Sequence, residues 1–228
     1  MWLANEILNW DKMISSYSVM DYETRSYDIW HHSEKLLVPN VDPLFLTDVI
    51  CSLKRSIHCR LNAIENIQNL SNITLPKYPR KSLEQLGYLG LIRPTLLKKL
   101  INIRNKIEHE DTPPPNYSRC LELLDSVWYF LKITDQLVNY PTTEIEFNLN
   151  CKEDQWINIQ TGPEYEWNII IRGKLSNTFI SKDKTSKHFK INRKGIIQKK
   201  DFIYFDQSCL DPSEDLIKKE ILMKFLIP

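Results

Sequence analysis

The stretch NYSRCLELLDSVWYFLKITDQLVNYPTTEIEFNL, residues 116–149, contains the change of hydrophobic period that decides the fold. In its first part the apolar residues recur every three or four positions, which predicts a long helix over residues 116–139. After Pro141 apolar and polar residues alternate, as in the letters TEIEFNL, and this is the period of a strand. We therefore expect an α+β protein, with an α-helical bundle over residues 1–140 and a small strand-rich domain over residues 141–228.

The pattern upstream of this stretch is helical. Asp42-Pro43 combines a preferred N-cap residue with proline at the first helical position, and it predicts a helix from about residue 43 to 69. Pro94 opens a further helix that the three prolines after Thr112 end. A short helix over residues 82–91 and one or two helices in the first 40 residues complete the predicted bundle. The helix after Pro94 is predicted to pack through an apolar stripe of Leu96, Leu100, Ile103 and Ile107.

Downstream of Pro141 several short segments have strand character. Asp211, Pro212 and Glu214 then form a capping-box pattern that predicts a C-terminal helix. Trp156 and Trp167 are expected to pack between the strands and this helix. The further predicted strands are Trp156–Gln160, Trp167–Arg172, Phe189–Asn192 and Phe202–Phe205.

Composition excludes several classes of protein. The chain is 42% hydrophobic and 26% charged, which is typical of a globular protein, and its net charge of +1 indicates no partner by itself. Its five glycines form neither GxGxxG nor GxxxxGK[ST], so a dinucleotide-binding fold and a P-loop NTPase are excluded.

Cysteine usage and hydropathy bear on the compartment. The chain has five cysteines, which is an odd number, and no two of them form a CxxC pair. We therefore expect reduced thiols and no metal site. No run of 18 apolar residues is present, and Glu6 interrupts the apolar N-terminus, so neither a membrane span nor a signal peptide is predicted. These features predict a cytoplasmic protein without a membrane partner.

The near-neutral net charge of the whole chain conceals two basic stretches. Residues 172–200 contain ten lysines or arginines and one acid, Asp183, for a net charge of +9. Residues 77–106 contain eight lysines or arginines and one acid, Glu84, for a net charge of +7. The denser stretch suits the phosphate backbone of a nucleic acid, and it would also suit an acidic partner protein.

The segment LINIRNKIEHE, residues 100–110, contains the candidate catalytic residues. Arg104 and His109 stand at the end of a strongly patterned helix, where the helix dipole favours a cationic imidazole. Asn105 and His109 are four residues apart, so they share one face of the helix. Glu108 is also four residues from Arg104, and an ordinary ion pair between them is the structural alternative.

This segment, followed by a loop and a last long amphipathic helix, resembles the HEPN (higher eukaryotes and prokaryotes nucleotide-binding) superfamily of helical domains. Arg104, Asn105 and His109 match the family motif of arginine, a polar residue, a spacer and histidine. In HEPN toxins that are silenced by adenylylation of a tyrosine, that tyrosine is the second residue after the histidine, and here the position is Asp111.

The resemblance implies a metal-independent endoribonuclease without a cofactor, acting as a homodimer on RNA, as a toxin or antiphage effector with an antitoxin or partner subunit. It implies catalysis by Arg104, Asn105 and His109, with products ending in 2′,3′-cyclic phosphate and 5′-OH. A non-catalytic module that binds RNA, nucleotide or protein, and a structural dimerisation protein, are the alternatives. We expect RNA contacts from Lys98, Lys106, Lys187, Lys190, Arg193 and Lys194.

Overall fold

The computed structural model describes residues 1–17, 24–40, 42–149, 155–183, 185, 187–192, 196–198 and 201–226. The chain divides into two compact units. The helical unit comprises Met20–Ser71 and Pro79–Tyr140, and the sheet unit comprises Met1–Val19, Asn72–Tyr78 and Pro141–Pro228. The predicted α+β class is confirmed. The two units differ from a single division after residue 140, because Met1–Val19 and Asn72–Tyr78 group with the sheet unit.

The helical unit contains the helices predicted between residues 43 and 139. The Asp42 carboxylate accepts the backbone N–H of Leu44 at 2.8 Å, and the Asn116 side chain accepts that of Arg119 at 2.9 Å. Both predicted helix starts are therefore confirmed by a capping hydrogen bond. The helices are α1 (Arg25–Leu36), α2 (Pro43–Gln68), α3 (Ser82–Tyr88), α4 (Thr95–Glu110) and α5 (Tyr117–Asn139).

A buried polar cluster links three of these helices. Arg60 on α2 is fully buried and forms an ion pair with Asp135 on α5 at 3.0 Å. The Tyr27 hydroxyl on α1 donates to the other oxygen of Asp135 at 2.8 Å, and the Arg60 guanidinium lies 5.3 Å from the Tyr27 ring centroid. Removing one partner from such a buried pair is costly, so this cluster fixes the packing of α1, α2 and α5.

The described strands of the sheet unit form two antiparallel sheets. The strands are β1 (Trp2–Ala4), β2 (Asp11–Tyr17), β3 (Thr142–Leu149), β4 (Gln155–Gln160), β5 (Ile170–Ser176), β6 (Ile180–Ser181), β7 (His188–Lys190), β8 (Ile196–Gln198) and β9 (Phe202–Cys209). The larger sheet has the order β2-β3-β4-β5-β9-β8, and the smaller has the order β6-β1-β7. The sheet unit also contains the α-helix α6 (Asp215–Leu226).

One face of the larger sheet forms the core of this unit. Phe147, Ile157 and Phe205 point to this inner face, and α6 adds Phe225 to the same cluster. Gly173 lies between them, where a Cβ atom would stand 2.5 Å from the carbonyl oxygen of Trp156. The inner face therefore requires glycine at this position. Because successive residues of a strand point to opposite faces, the neighbouring Arg172 and Lys174 lie on the outer face.

Of the first 40 residues, Arg25–Leu36 form the predicted helix α1, and Asn5–Asn9 form a 3-10 helix. β1 and β2 are strands that the sequence does not predict, and they form because β1 pairs with β6 and β7 and β2 pairs with β3.

Two predictions about helices are wrong. The terminal helix begins at Asp215, because the Asp211 carboxylate accepts both the N–H and the hydroxyl of Ser213 in a turn before it. On α4 Leu97 is buried and Leu96 is 45% exposed, so Leu97 replaces Leu96 in the inward stripe.

Candidate functional site

Helix α4 carries the predicted catalytic residues and is held by its apolar side. Leu97 and Leu100 are buried, while Ile103 and Ile107 are half-buried, so the packing loosens toward the C-terminal end. α4 packs against α2 and α5 within the helical unit. The last two turns of α4 therefore present their polar side to solvent on a helix that its first turns anchor.

Arg104, Glu108 and His109 form a connected group at the end of α4. Arg104 forms an ion pair and a hydrogen bond with the Glu108 carboxylate one turn later. The same carboxylate lies 3.5 Å from Nε2 of His109. The Arg104 side chain is 20% exposed and the His109 side chain is 70% exposed. The structure thus brings the predicted pair together through a residue that both contact.

Asn105 and Lys98 lie on the same side of α4 as His109. At about 100° per residue, positions 98, 105 and 109 fall within an arc of about 40°. Asn105 is exposed, as expected for a residue that meets a ligand. Lys98 donates to Glu84 at 3.0 Å, and this hydrogen bond lowers the pKa of the Glu84 carboxyl below its ordinary value. Lys106 is exposed about a quarter turn further round the helix.

The end of α4 places His109 in its final turn. Asp111 follows the helix in the left-handed region at φ 50°, and its N–H bonds to the carbonyl of Lys106. The His109 side chain is exposed at this helix end.

The predicted RNA contacts of the basic stretch lie in the sheet unit. Lys187 is exposed, whereas Lys190 forms an ion pair with Asp211 at 2.9 Å. Hydrogen bonds from Ser213 and Lys190 lower the pKa of the Asp211 carboxyl to about 2. Arg193 and Lys194 lie outside the described residues. Lys187 and Lys190 therefore differ in how available they are to a phosphate, and the sequence does not indicate this difference.

The described residues include concave surfaces in both units. One is a cleft of about 410 Å³ in the sheet unit, where Asp211, Asp215 and Lys218 meet the polar side chains of Asn72 and Asn168. Burial lowers the pKa of the Lys218 ammonium there. Another is an apolar groove of about 200 Å³ between α4 and α5, with Leu96, Tyr129 and Ile133 on its rim.

The described part of the chain contains no group of three or more His, Cys, Asp or Glu side chains arranged to hold a metal ion. None of its helices has the length and apolar content needed to cross a membrane.

No protein-family model, curated protein or solved structure matches this chain.

Proposed function

We propose that the protein is a metal-independent endoribonuclease of the HEPN type, a toxin or antiphage effector that cleaves RNA at the exposed end of α4. The observation that carries the proposal is the shared contact of Arg104 and His109 with the Glu108 carboxylate at the exposed end of α4. Asn105 and Lys98 lie on the same side of the helix as His109. This set offers a fixed positive charge, an imidazole as proton acceptor or donor and an amide donor.

These residue types suffice for the chemistry because RNA carries its own nucleophile. His109 takes the proton of a ribose 2′-OH, whose oxygen attacks the adjacent phosphorus and forms a 2′,3′-cyclic phosphate. The bond from phosphorus to the 5′ oxygen breaks, and that oxygen leaves as a 5′-OH after receiving a proton. Arg104 stabilises the additional negative charge on the phosphoryl oxygens, and Asn105 orients the phosphate.

A second copy of the chain supplies the acid in this scheme. One imidazole cannot easily serve as base and acid on opposite sides of one phosphate, so the site is composite, with a second His109 protonating the leaving oxygen. The groove beside α4 supports such a dimer, because Leu96, Tyr129 and Ile133 leave apolar surface exposed on the helix pair that carries the motif.

Expression in a bacterial host tests the toxin proposal. Induction of the wild-type chain should arrest growth and fragment cellular RNA, and His109→Ala should abolish both effects. His58→Ala is the matched control, since His58 is an exposed histidine on α2, far along the chain from the motif. Arrest that persists in His109→Ala would refute the proposal.

A non-catalytic module that binds RNA, nucleotide or a partner protein is the second candidate. It is favoured by the ion pair of Arg104 with Glu108, because an arginine held by a carboxylate is less available to a phosphate. In that case the purified protein would bind RNA and leave it intact, and the substitution Glu108→Gln would not produce cleavage.

A further inference from the structure

A row of side chains on the outer face of the larger sheet combines aromatic rings with a cation. The register pairs Trp156 on β4 with Lys174 on β5, and Lys174 with Tyr204 on β9. Tyr204 in turn pairs with Ile197 on β8. These four residues alternate with buried core residues such as Ile157, so their side chains lie on the face opposite the core. Trp156 was predicted to pack between the strands and the terminal helix, and its place in this row corrects that expectation.

The row is partly accessible to solvent. The side chains of Trp156, Lys174 and Tyr204 are half-buried, and Ile197 is 61% exposed. The Lys174 ammonium lies 4.9 Å from the centroid of the Phe202 ring and 6.0 Å from that of Tyr204. Phe202 is a further half-buried ring two residues before Tyr204. Lys174 thus lies between the rings of Phe202 and Tyr204 on one side and the strand of Trp156 on the other.

Charge is unevenly distributed over this outer face. Glu144 and Glu146 lie on β3, and they accept hydrogen bonds from the side-chain amides of Asn158 and Asn148 respectively. Asp206 lies 3.9 Å from Arg172. Glu144, Glu146 and Asp206 therefore occupy rows beside the aromatic row, and the two on β3 have neutral amide partners. Asp11 on β2 lies at the end of the aromatic row itself, separated from Trp156 by Asn148. The aromatic row contains Lys174 as its charged residue between β4 and β8.

We propose that Trp156, Lys174, Tyr204 and Phe202 form a platform that binds single-stranded RNA by stacking its bases and holding a phosphate. The proposal deepens the function proposed above and rests on it, since it names a surface of the sheet unit that holds the RNA. Trp156 and Tyr204 stand two strands apart, about 10 Å, which allows two unstacked bases to lie on separate rings. Stacking on aromatic side chains tolerates any base, so the platform would not select a sequence.

The position of the basic stretch favours a nucleic acid over a protein as the occupant. The stretch of net charge +9, residues 172–200, begins on β5 at the platform and continues through the connection that leads to β9. A polyanion that stacks on the rings would therefore meet Arg172 as a further cation, two residues before Lys174 on the same outer face. Single strands meet this requirement because their bases are free to stack, whereas the bases of a duplex are paired.

Binding of a non-cleavable probe to the full chain tests the platform. The probe is a fluorescein-labelled 2′-O-methyl oligouridine of 12 nucleotides, which lacks the free 2′-OH that the proposed cleavage needs. Tyr204→Leu and Trp156→Leu keep an apolar side chain on the strand and remove the ring. Each should weaken binding at least about fivefold, because stacking contributes about 1–3 kcal/mol per base. Tyr165→Leu, in the turn at the opposite end of β4 and β5, is the matched control and should leave the affinity unchanged.

The outcomes separate this inference from the proposed ribonuclease. Weaker binding in both platform variants with normal circular dichroism spectra supports the platform, whether or not native RNA is cleaved. Unchanged affinity in Tyr204→Leu overturns it, even if the wild type cleaves native RNA, and such a result would assign the aromatic face to a protein partner. Failure of the wild type to bind the probe also overturns it. If a leucine variant does not fold, Lys174→Met gives the same decision, with weaker binding expected.

Discussion

Arg104 and Glu108, one turn apart on α4, form an ion pair whose carboxylate also lies 3.5 Å from the His109 ring. An exposed pair at this spacing contributes about 0.2–0.5 kcal/mol, which is small against the attraction between an arginine and a phosphate. If the proposed function holds, the Glu108 carboxylate competes with RNA for Arg104, and its removal should expose the guanidinium. The response to that removal distinguishes the proposed ribonuclease from a purely structural role of Arg104.

Glu108→Gln should raise the rate of RNA cleavage about twofold or more and lower the free energy of unfolding by at most about 0.5 kcal/mol. Single-turnover cleavage assays and urea denaturation measure the two quantities. Glu110→Gln removes the same charge from the same turn and serves as the control, with no rate increase expected. A lower rate in Glu108→Gln than in Glu110→Gln would mean that Glu108 assists His109 and does not restrain Arg104.

Light scattering should give about twice the chain mass of 27.1 kDa, because the proposed site needs two copies of His109. Leu96→Asp places a charge in the exposed apolar rim beside α4 and should produce a monomer with at least about tenfold lower activity. Leu216→Asp, at an exposed leucine of the sheet unit, should remain dimeric. A monomer that still cleaves RNA would contradict the composite site.

Lys187→Ser should reduce the salt dependence of RNA binding more than Lys190→Ser. Each cation that contacts a single-stranded phosphate contributes about 0.7 to the slope of log affinity against log salt. Lys187 is exposed, while Lys190 must first leave Asp211, so the second change should be clearly smaller. Titrations of the 2′-O-methyl probe at several salt concentrations measure both slopes. Equal slopes in wild type and Lys187→Ser would remove Lys187 from the RNA interface.

Acidification should remove a contribution of Asp211 to stability. Its pKa is lowered from 3.8 to about 2 in the folded state by Ser213 and Lys190, so the stabilisation is present above pH 3.8 and is lost as the pH falls toward 2. In urea denaturation, wild type should exceed Asp211→Asn in stability at pH 6, and the difference should shrink at pH 3. A difference that stays constant or grows on acidification would contradict the ion pair.

Local signals made part of the fold predictable. α2 and α5 are long and periodic and begin at capping residues, so their bounds follow from the sequence to within a residue or two. β1 has three residues and no alternation, and it is a strand because His188–Lys190 and Ile180–Ser181 pair with it from the other end of the chain. Pairing with residues so distant along the chain produces no recognisable pattern in the sequence of a three-residue strand.

The candidate sites were predictable to different degrees. The α4 motif lies on one continuous helix, so helical spacing alone places Arg104 near Glu108 and Asn105 near His109. The outer-face platform joins Trp156, Lys174 and Tyr204 from three strands. Each residue alternates visibly with core residues, but only the register brings them into one row. Sequence reasoning assigned Trp156 to the core because it could not determine that register.

Cleavage of single-stranded RNA by the purified protein in excess EDTA tests the ribonuclease proposal most directly. Wild type and His58→Ala should cut the RNA and leave 2′,3′-cyclic phosphate ends, and His109→Ala should be slower by about 10²- to 10⁴-fold, the contribution typical of one acid–base group. Activity that appears only after Mg²⁺ or Mn²⁺ is added, or that is equal in His109→Ala, would contradict the account.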